Sequence, residues 1–399
     1  MKRTAGWLAA CLWLVLVGWA AGNEPPPRPI PPIPPIPAPA SPVARIVSVT
    51  ESLAKMDVAA GRAFAWDLVQ VLAKHEKSLA EQKVEWPEAL TALKNGPRPD
   101  AGAPTDAERR RIYDQTEPLL RVAYEMDPDG PPEQTCPAQL GVALLVALAE
   151  KCPSVSACAM AASHLIKRCL PDDEGRDPPL EELSPGMAAR VYEAALGRVM
   201  EMLAMGPSED AAEGLVIASF MSSIIGRYFL VDAMASGAPD AEAIRKRAGE
   251  WLEQLAAVQR AEDPEEIRRA VEMAIKALEF VKAEAGQIAE IAVRTAAVEA
   301  LVKKFLLAVN TENRAQALEC LTAKSGEALA KAESLRAAFT GREDTKDVLY
   351  RGVGPAYSLG GREYVTVLYR IVDAAGRGAS AAKEMGLVKT ETGWLLGEP

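Results

Sequence analysis

The residues of this 399-residue chain whose types and spacing bear on chemistry are six cysteines, two histidines and a few carboxylate clusters. Five cysteines follow the N-terminal segment: Cys136, Cys152, Cys158, Cys169 and Cys320. Cys136 opens one expected helix (Ala138 to about Lys151) and Cys152 closes it. Cys158 lies near the start of a second helix and Cys169 at its end. A helix holding Cys136 and Cys152 at its two ends separates them by ~24 Å at a rise of about 1.5 Å per residue. A disulfide needs Cα atoms within about 7 Å, so these two cannot pair. An antiparallel hairpin instead predicts nested bridges, Cys136 with Cys169 and Cys152 with Cys158. The competing chemistry is a metal site built from Cys152, Cys158, His164 and Cys169. The close pairing of cysteines typical of structural zinc is absent, and an oxidising compartment favours disulfides, so no metal is expected. Cys320 is left over and reads as a buried, inert thiol.

The other candidates are weaker. His75 and His164 sit in no recognisable motif, and their scarcity argues against hydrolase triads and zinc centres. Asp127-Pro128-Asp129-Gly130 resembles part of a calcium loop but lacks the further ligands that loop requires. Asp172-Asp173-Glu174-Gly175-Arg176-Asp177 reads as a solvated acidic loop. No catalytic set and no cofactor are expected.

The compartment comes from the N-terminus. Lys2 and Arg3 precede an uncharged, apolar run from Trp7 to Gly22, the pattern of an export signal. Cleavage after Ala20 or Gly22 and retention as an anchor are the alternatives, and the run is shorter than the ~20 residues a spanning helix needs. Leu8-Ala9-Ala10-Cys11 has the look of a lipoprotein box, but the apolar core follows Cys11 instead of preceding it. Proline then dominates residues 23–42. Proline lacks the amide donor that helices and ladders use, so this segment reads as an extended polyproline spacer. The chain is therefore expected to be periplasmic or extracellular, tethered to a membrane at most through its N-terminus. The formal net charge of −10 and the lack of a dense basic patch argue against nucleic acid as a partner.

The elements that must position these residues are mostly helical. Abundant alanine with only 5% aromatics suits closely packed helices, and residues 43–296 read as an all-α domain of roughly nine helices up to about Ala285. Thr105-Asp106-Ala107-Glu108 is a capping box that starts a helix running to about Tyr124. Asp263-Pro264-Glu265-Glu266 is a second start signal, with proline expected at the first helical position. Leu140 to Ala149 and Leu215 to Ile225 are apolar on nearly every face and read as core. Ile267, Val271, Ala274, Leu278, Val281, Ala285, Ile288 and Ala292 alternate by four and three along one expected helix. That seam either packs within its own bundle or joins a homodimer.

Near residue 297 the pattern changes, and residues 297–399 read as an α+β domain with a curved antiparallel sheet. Helical segments cover Phe305 to Val309, Ala315 to Leu321 and Gly326 to Phe339. Val365, Val367, Tyr369 and Ile371 then share one strand face at period two. Gly360-Gly361 turns into that strand from Ala356 to Leu359, and strands follow at Lys383 to Thr390 and Trp394 to Leu396. The run Phe305-Leu306-Leu307-Ala308-Val309, the short helix ending at Leu321-Thr322, and the closing Gly386-Leu387-Val388-Lys389-Thr390-Glu391-Thr392-Gly393-Trp394-Leu395-Leu396 resemble the nuclear-transport-factor-2-like, cone-shaped superfamily. The resemblance is to its small exported bacterial members of unassigned activity. It implies a curved sheet wrapped round helices with a pocket at the cone mouth. Tyr350, Tyr364 and Tyr369 would line that pocket and Trp394 would close it, unless the aromatics simply fill the core. Members include isomerases, dehydratases, ligand binders and dimerisation modules. The expectation is an exported, non-catalytic envelope protein that binds a partner or small ligand. A cone-fold enzyme and a structural oligomer are the alternatives.

Overall fold

The computed structural model describes residues 41–81, 84–124, 138–170, 183–206, 211–359, 361–376, 378–391 and 393–397. The N-terminal run expected to be an export signal, most of the proline segment, Cys136 and both acidic loops lie outside the described residues. Among the described residues fifteen helices come first and five strands last, the helical region plus α+β arrangement expected.

The helical region runs through α1 (Pro42–Ala54), α2 (Ala59–Lys74), α3 (Glu76–Glu81), α4 (Glu88–Asn95), α5 (Asp106–Tyr124), α6 (Ala138–Lys151), α7 (Val155–Cys169), α8 (Pro185–Met205), α9 (Ala211–Ala235), α10 (Ala241–Val258) and α11 (Glu265–Ala283). The capping box forms at α5. The Thr105 amide donates to Glu108 Oε2 (2.8 Å) and the Glu108 amide donates to Thr105 Oγ1 (3.3 Å), so two donors left over at the helix start are satisfied reciprocally. At α11 the proline sits one position earlier than expected. Pro264 caps the helix from outside, while the Asp263 carboxylate accepts from the Arg260 amide (3.2 Å) and shapes the preceding turn.

Leu140, Leu144, Leu145 and Leu148 of α6 and Phe220, Met221, Ile224 and Ile225 of α9 are buried, in line with their apolar stretches. Tyr192 of α8 stacks on Phe220 (4.6 Å) and Tyr228 (4.8 Å) of α9, and Tyr228 meets Trp251 of α10 (4.8 Å). This aromatic column joins three helices at the centre of the core. Among the described residues no helix is long and apolar enough to cross a membrane.

The four-three seam is not one helix. It is broken at Glu284 (φ −97°, ψ 14°), which ends α11 and precedes α12 (Ala285–Asn310). Ile267, Val271, Ala274, Leu278, Val281, Ala285 and Ala292 are all buried within the chain's own core, where α11 packs against α9 and α10. The seam is thus covered from inside the chain.

Helix α12 spans the expected boundary at residue 297 without interruption. Ala285, Ala289 and Ala292 belong to the helical core, and Val298, Val302, Phe305 and Leu306 belong to a second core. That second core includes α13 (Arg314–Glu319), α14 (Ala323–Ala330) and α15 (Leu335–Thr340), packed on a sheet of β1 (Thr345–Val353), β2 (Tyr357–Leu359), β3 (Arg362–Asp373), β4 (Gly378–Thr390) and β5 (Gly393–Leu396). Two short helices stand where sequence suggested one from Gly326 to Phe339. Ser334 interrupts, its hydroxyl accepting from the Ala337 amide (3.2 Å) to start α15.

The sheet is antiparallel, in the order β1-β3-β4-β5, with β2 also on β3. β1 covers the later part of β3 and β2 the earlier part, so the two act as one strand bent at Gly354-Pro355-Ala356. The sheet curls into a half-barrel. Val365, Val367, Tyr369 and Ile371 face the core as their alternation predicts.

Candidate functional site

On β4 the inward positions opposite Val365 and Val367 are Met385 and Lys383, and Ala381 lies opposite Tyr369. The inward phase of β4 therefore reads Ala381, Lys383, Met385, Leu387 and Lys389, with Lys383 set between apolar neighbours and Lys389 exposed at the end of the row beside Trp394. The Lys383 ammonium donates to the Phe339 carbonyl of α15 (2.8 Å) and sits 4.5 Å from the centroid of the Phe339 ring. Among the described residues no carboxylate pairs with it. Burial holds its pKa below the ordinary lysine range, because a desolvated ammonium is disfavoured relative to the neutral amine.

Lys383 lines a cleft of about 630 Å³ between β3–β4 and the helices α12, α14 and α15. Phe305, Leu321, Leu329, Phe339 and Leu387 give it an apolar floor. Arg362, Glu363, Glu384 and Lys389 stand around it. Glu363 is held by Arg294 of α12 (2.5 Å), and Glu384 follows the outward phase of β4, opposite Thr366. Clefts of ~300–1,000 Å³ with apolar walls and a few placed polar groups are the usual form of small-ligand sites.

The wall carrying Phe339 is fixed by Glu312, just past the end of α12. Its carboxylate accepts from Ser334 Oγ (2.8 Å), the Leu335 amide (2.7 Å), the Arg336 amide (3.3 Å) and Arg336 Nε (3.0 Å). Burial raises the Glu312 pKa, but these donors outweigh it and bring the group down to about 2. Glu312 also adopts a φ of 54°, a strained conformation for a residue with a side chain. Four donors on one carboxylate pin α15, and α15 in turn presents the ring and the carbonyl that hold Lys383.

The four aromatics expected at a cone mouth are dispersed. Tyr364 lines the cleft. Tyr369 lies beneath it in the core, 4.8 Å from Phe339. Tyr350 turns to α12 instead, donating its hydroxyl to Glu299 Oε1 (2.8 Å) under the Lys303 ammonium. Trp394 stands beside the cleft, opposite Lys389 in the β4–β5 register. Lys383 was expected only as the first residue of a strand and not among the residues of the site. Carrying the Met385 and Leu387 alternation back one step would have placed it inside.

The cysteines form a second polar cluster, in the helical region. The expected bridges are not formed among the described residues, where Cys152, Cys158, Cys169 and Cys320 are free thiols. Cys158 Sγ points to the carbonyls of Cys152 (3.1 Å) and Leu148 (3.3 Å) at the end of α6. Arg198 of α8 donates to Cys158 Sγ, to the Cys152 carbonyl (2.6 Å) and to the Ala149 carbonyl (3.5 Å). Its guanidinium thus closes the α6 C-terminus, whose last carbonyls lack helical partners. Burial raises Cys158 to about 11 despite Arg198, and burial raises Cys152 still more. Neither is poised as a nucleophile, since the thiolate is the reactive form. His164 is buried beside Lys167 and Arg168, and among the described residues no three His, Cys, Asp or Glu side chains converge as a metal site.

No family model, curated protein or solved structure matches this chain.

Proposed function

We propose that this chain is an exported, non-catalytic protein of the cell envelope that binds a small ligand in the cleft of its C-terminal domain. The observation that carries the reading is Lys383, an inward-facing cation on an apolar strand face at the wall of a cleft of about 630 Å³. A charged group in such a place is retained against a solvation cost, and ligand recognition is one use that offsets it. The curled sheet with helices on its inner face supports the cone-family resemblance, which we keep as part of this reading. Export rests on the N-terminal sequence pattern. In an oxidising compartment the Cys152–Cys158 and Cys136–Cys169 bridges remain part of the proposal.

An acid–base enzyme is the second reading, because a lysine held below its ordinary pKa is a usable base. Binding is favoured because Glu363, the inward carboxylate at the cleft, is tied to Arg294. The test is the mass of the full chain purified gently from its own envelope, native and then denatured. A non-covalent added mass is expected in the wild type and should disappear in Leu329→Trp, which fills the cleft. Added mass retained in that variant would place the site elsewhere, and a bare wild-type chain would argue against the binding role. The denatured mass also reads the bridges, each of which removes two hydrogens.

A further inference from the structure

The cleft's charge is unlike that of the chain around it. The protein carries a formal net charge of −10, yet the cleft gathers Arg362, Lys383 and Lys389 against Glu363 and Glu384. Glu363 already answers Arg294 (2.5 Å), and Glu384 holds an outward position on β4. The cleft therefore carries more positive than negative charge, and of its three cations Lys383 is the partly buried one while Arg362 and Lys389 are exposed.

That ammonium has donors in reserve. Lysine offers three, and Lys383 gives one to the Phe339 carbonyl at 2.8 Å. The apolar floor of Phe305, Leu329 and Phe339 lies beside it. Resting on the Phe339 ring is a partial substitute for a counter-ion. An anion entering the cleft would complete it.

The geometry points to an amphipathic monoanion, a carboxylate with an alkyl or aryl body, as the ligand class of this cleft. Its head would accept hydrogen bonds from Lys383 Nζ and its body would cover Phe305, Leu329 and Phe339. The placement of the cations selects a monoanion: Arg362 and Lys389 are exposed, and Lys383 alone is set against the apolar Phe339 ring. A head group seated there meets one ammonium, whereas a phosphate dianion is ordinarily met by a guanidinium fork or a nest of backbone amides. This inference rests on the cleft being a ligand site and adds to it the ligand's charge and shape.

The experiment titrates the full chain with 11-(dansylamino)undecanoic acid and, separately, with its methyl ester, following dansyl fluorescence. The two probes share an apolar body and differ in the charge. The acid is expected to bind about tenfold more tightly than the ester, the scale of a charge-assisted hydrogen bond. Lys383→Met should remove the preference for the acid over the ester, while Lys383→Arg keeps it. Equal binding of acid and ester by the wild type would overturn the monoanion while sparing the cleft. Binding of neither probe would overturn both. The wild-type comparison stands even if a variant fails to fold.

Discussion

Each half of the molecule sets a basic side chain against its interior, Arg198 in one and Lys383 in the other, and the two are treated differently. In the helical region Arg198 is committed to the Ala149 and Cys152 carbonyls and to the Cys158 sulfur. In the α+β domain Lys383 has one carbonyl and one ring face. Arg198 lies among close-packed helices, whereas Lys383 lies on a cleft wall. The contrast separates a cation committed to the fold from one with hydrogen-bonding capacity in reserve. Arg198 spends three hydrogen bonds on a helix end, whereas Lys383 keeps donors beside open space, where the proposed ligand would meet them.

The sharpest way to break this comparison is to remove each cation in turn. Arg198→Met should destabilise the fold by about 3 kcal/mol, since it strips charge-assisted hydrogen bonds from buried carbonyls. Lys383→Met should change stability by no more than about 1 kcal/mol, because the lost contacts are offset by relief of desolvation. Urea unfolding followed by tryptophan fluorescence reads both, and equal losses would erase the distinction.

A third basic group extends the contrast. Burial, with Lys167 and Arg168 adding, drives the His164 pKa down to about 2. The unfolded chain binds a proton at this ring below about pH 6.5, and the folded chain does not until about 2. Stability from the neutral ring is therefore complete above pH 6.5 and falls as pH drops through that window, by about 1.4 kcal/mol per unit. Between pH 6.5 and 4.5 the loss should approach about 2–3 kcal/mol. Glu312 adds its own loss only below its unfolded value near 4.5, so the upper part of the window belongs to the two histidines, chiefly to the more deeply buried His164, since burial lowers His75 as well. Urea midpoints at pH 7 and pH 5 should differ in the wild type and draw together in His164→Gln; an undiminished difference in that variant would assign the effect to another group.

The smallest effect concerns an unpartnered polar group with no cleft beside it. The Tyr192 hydroxyl is buried in the aromatic column without a hydrogen-bond partner. Tyr192→Phe should raise stability by about 1 kcal/mol, because it removes a desolvated hydroxyl and keeps the ring. A loss of stability on thermal melting would show that the hydroxyl is satisfied after all.

Legibility in the sequence followed how local the determining physics was. The Thr105–Glu108 box and the period-two face of Val365 to Ile371 were readable because each is set within a few neighbouring residues. β1 was not, since Lys346, Asp347 and Arg351 dilute its alternation and pairing with β3 decides it. The break at Glu284 was hidden because the apolar seam continues across it in phase. Of the candidate site, Tyr364 at the cleft and Tyr369 beneath it were within reach, being on a recognisable strand. Lys383 depends on where β4 begins, Glu312 on how α15 returns to α12, and Arg198 on the packing of α8 over the end of α6. Each of these three is made by contacts distant in sequence, which spacing alone does not reveal.

Helix α12 carries a consequence of a different kind. Because one uninterrupted helix serves two cores, it fixes their angular phase as a shaft fixes two gears. Each residue advances an α-helix by about 100°. Removing a single residue between Ala292 and Val298 would turn Val302 and Phe305 away from the sheet while Ala285 and Ala289 stayed in place. Insertions and deletions along this stretch are therefore restricted to lengths that restore whole turns.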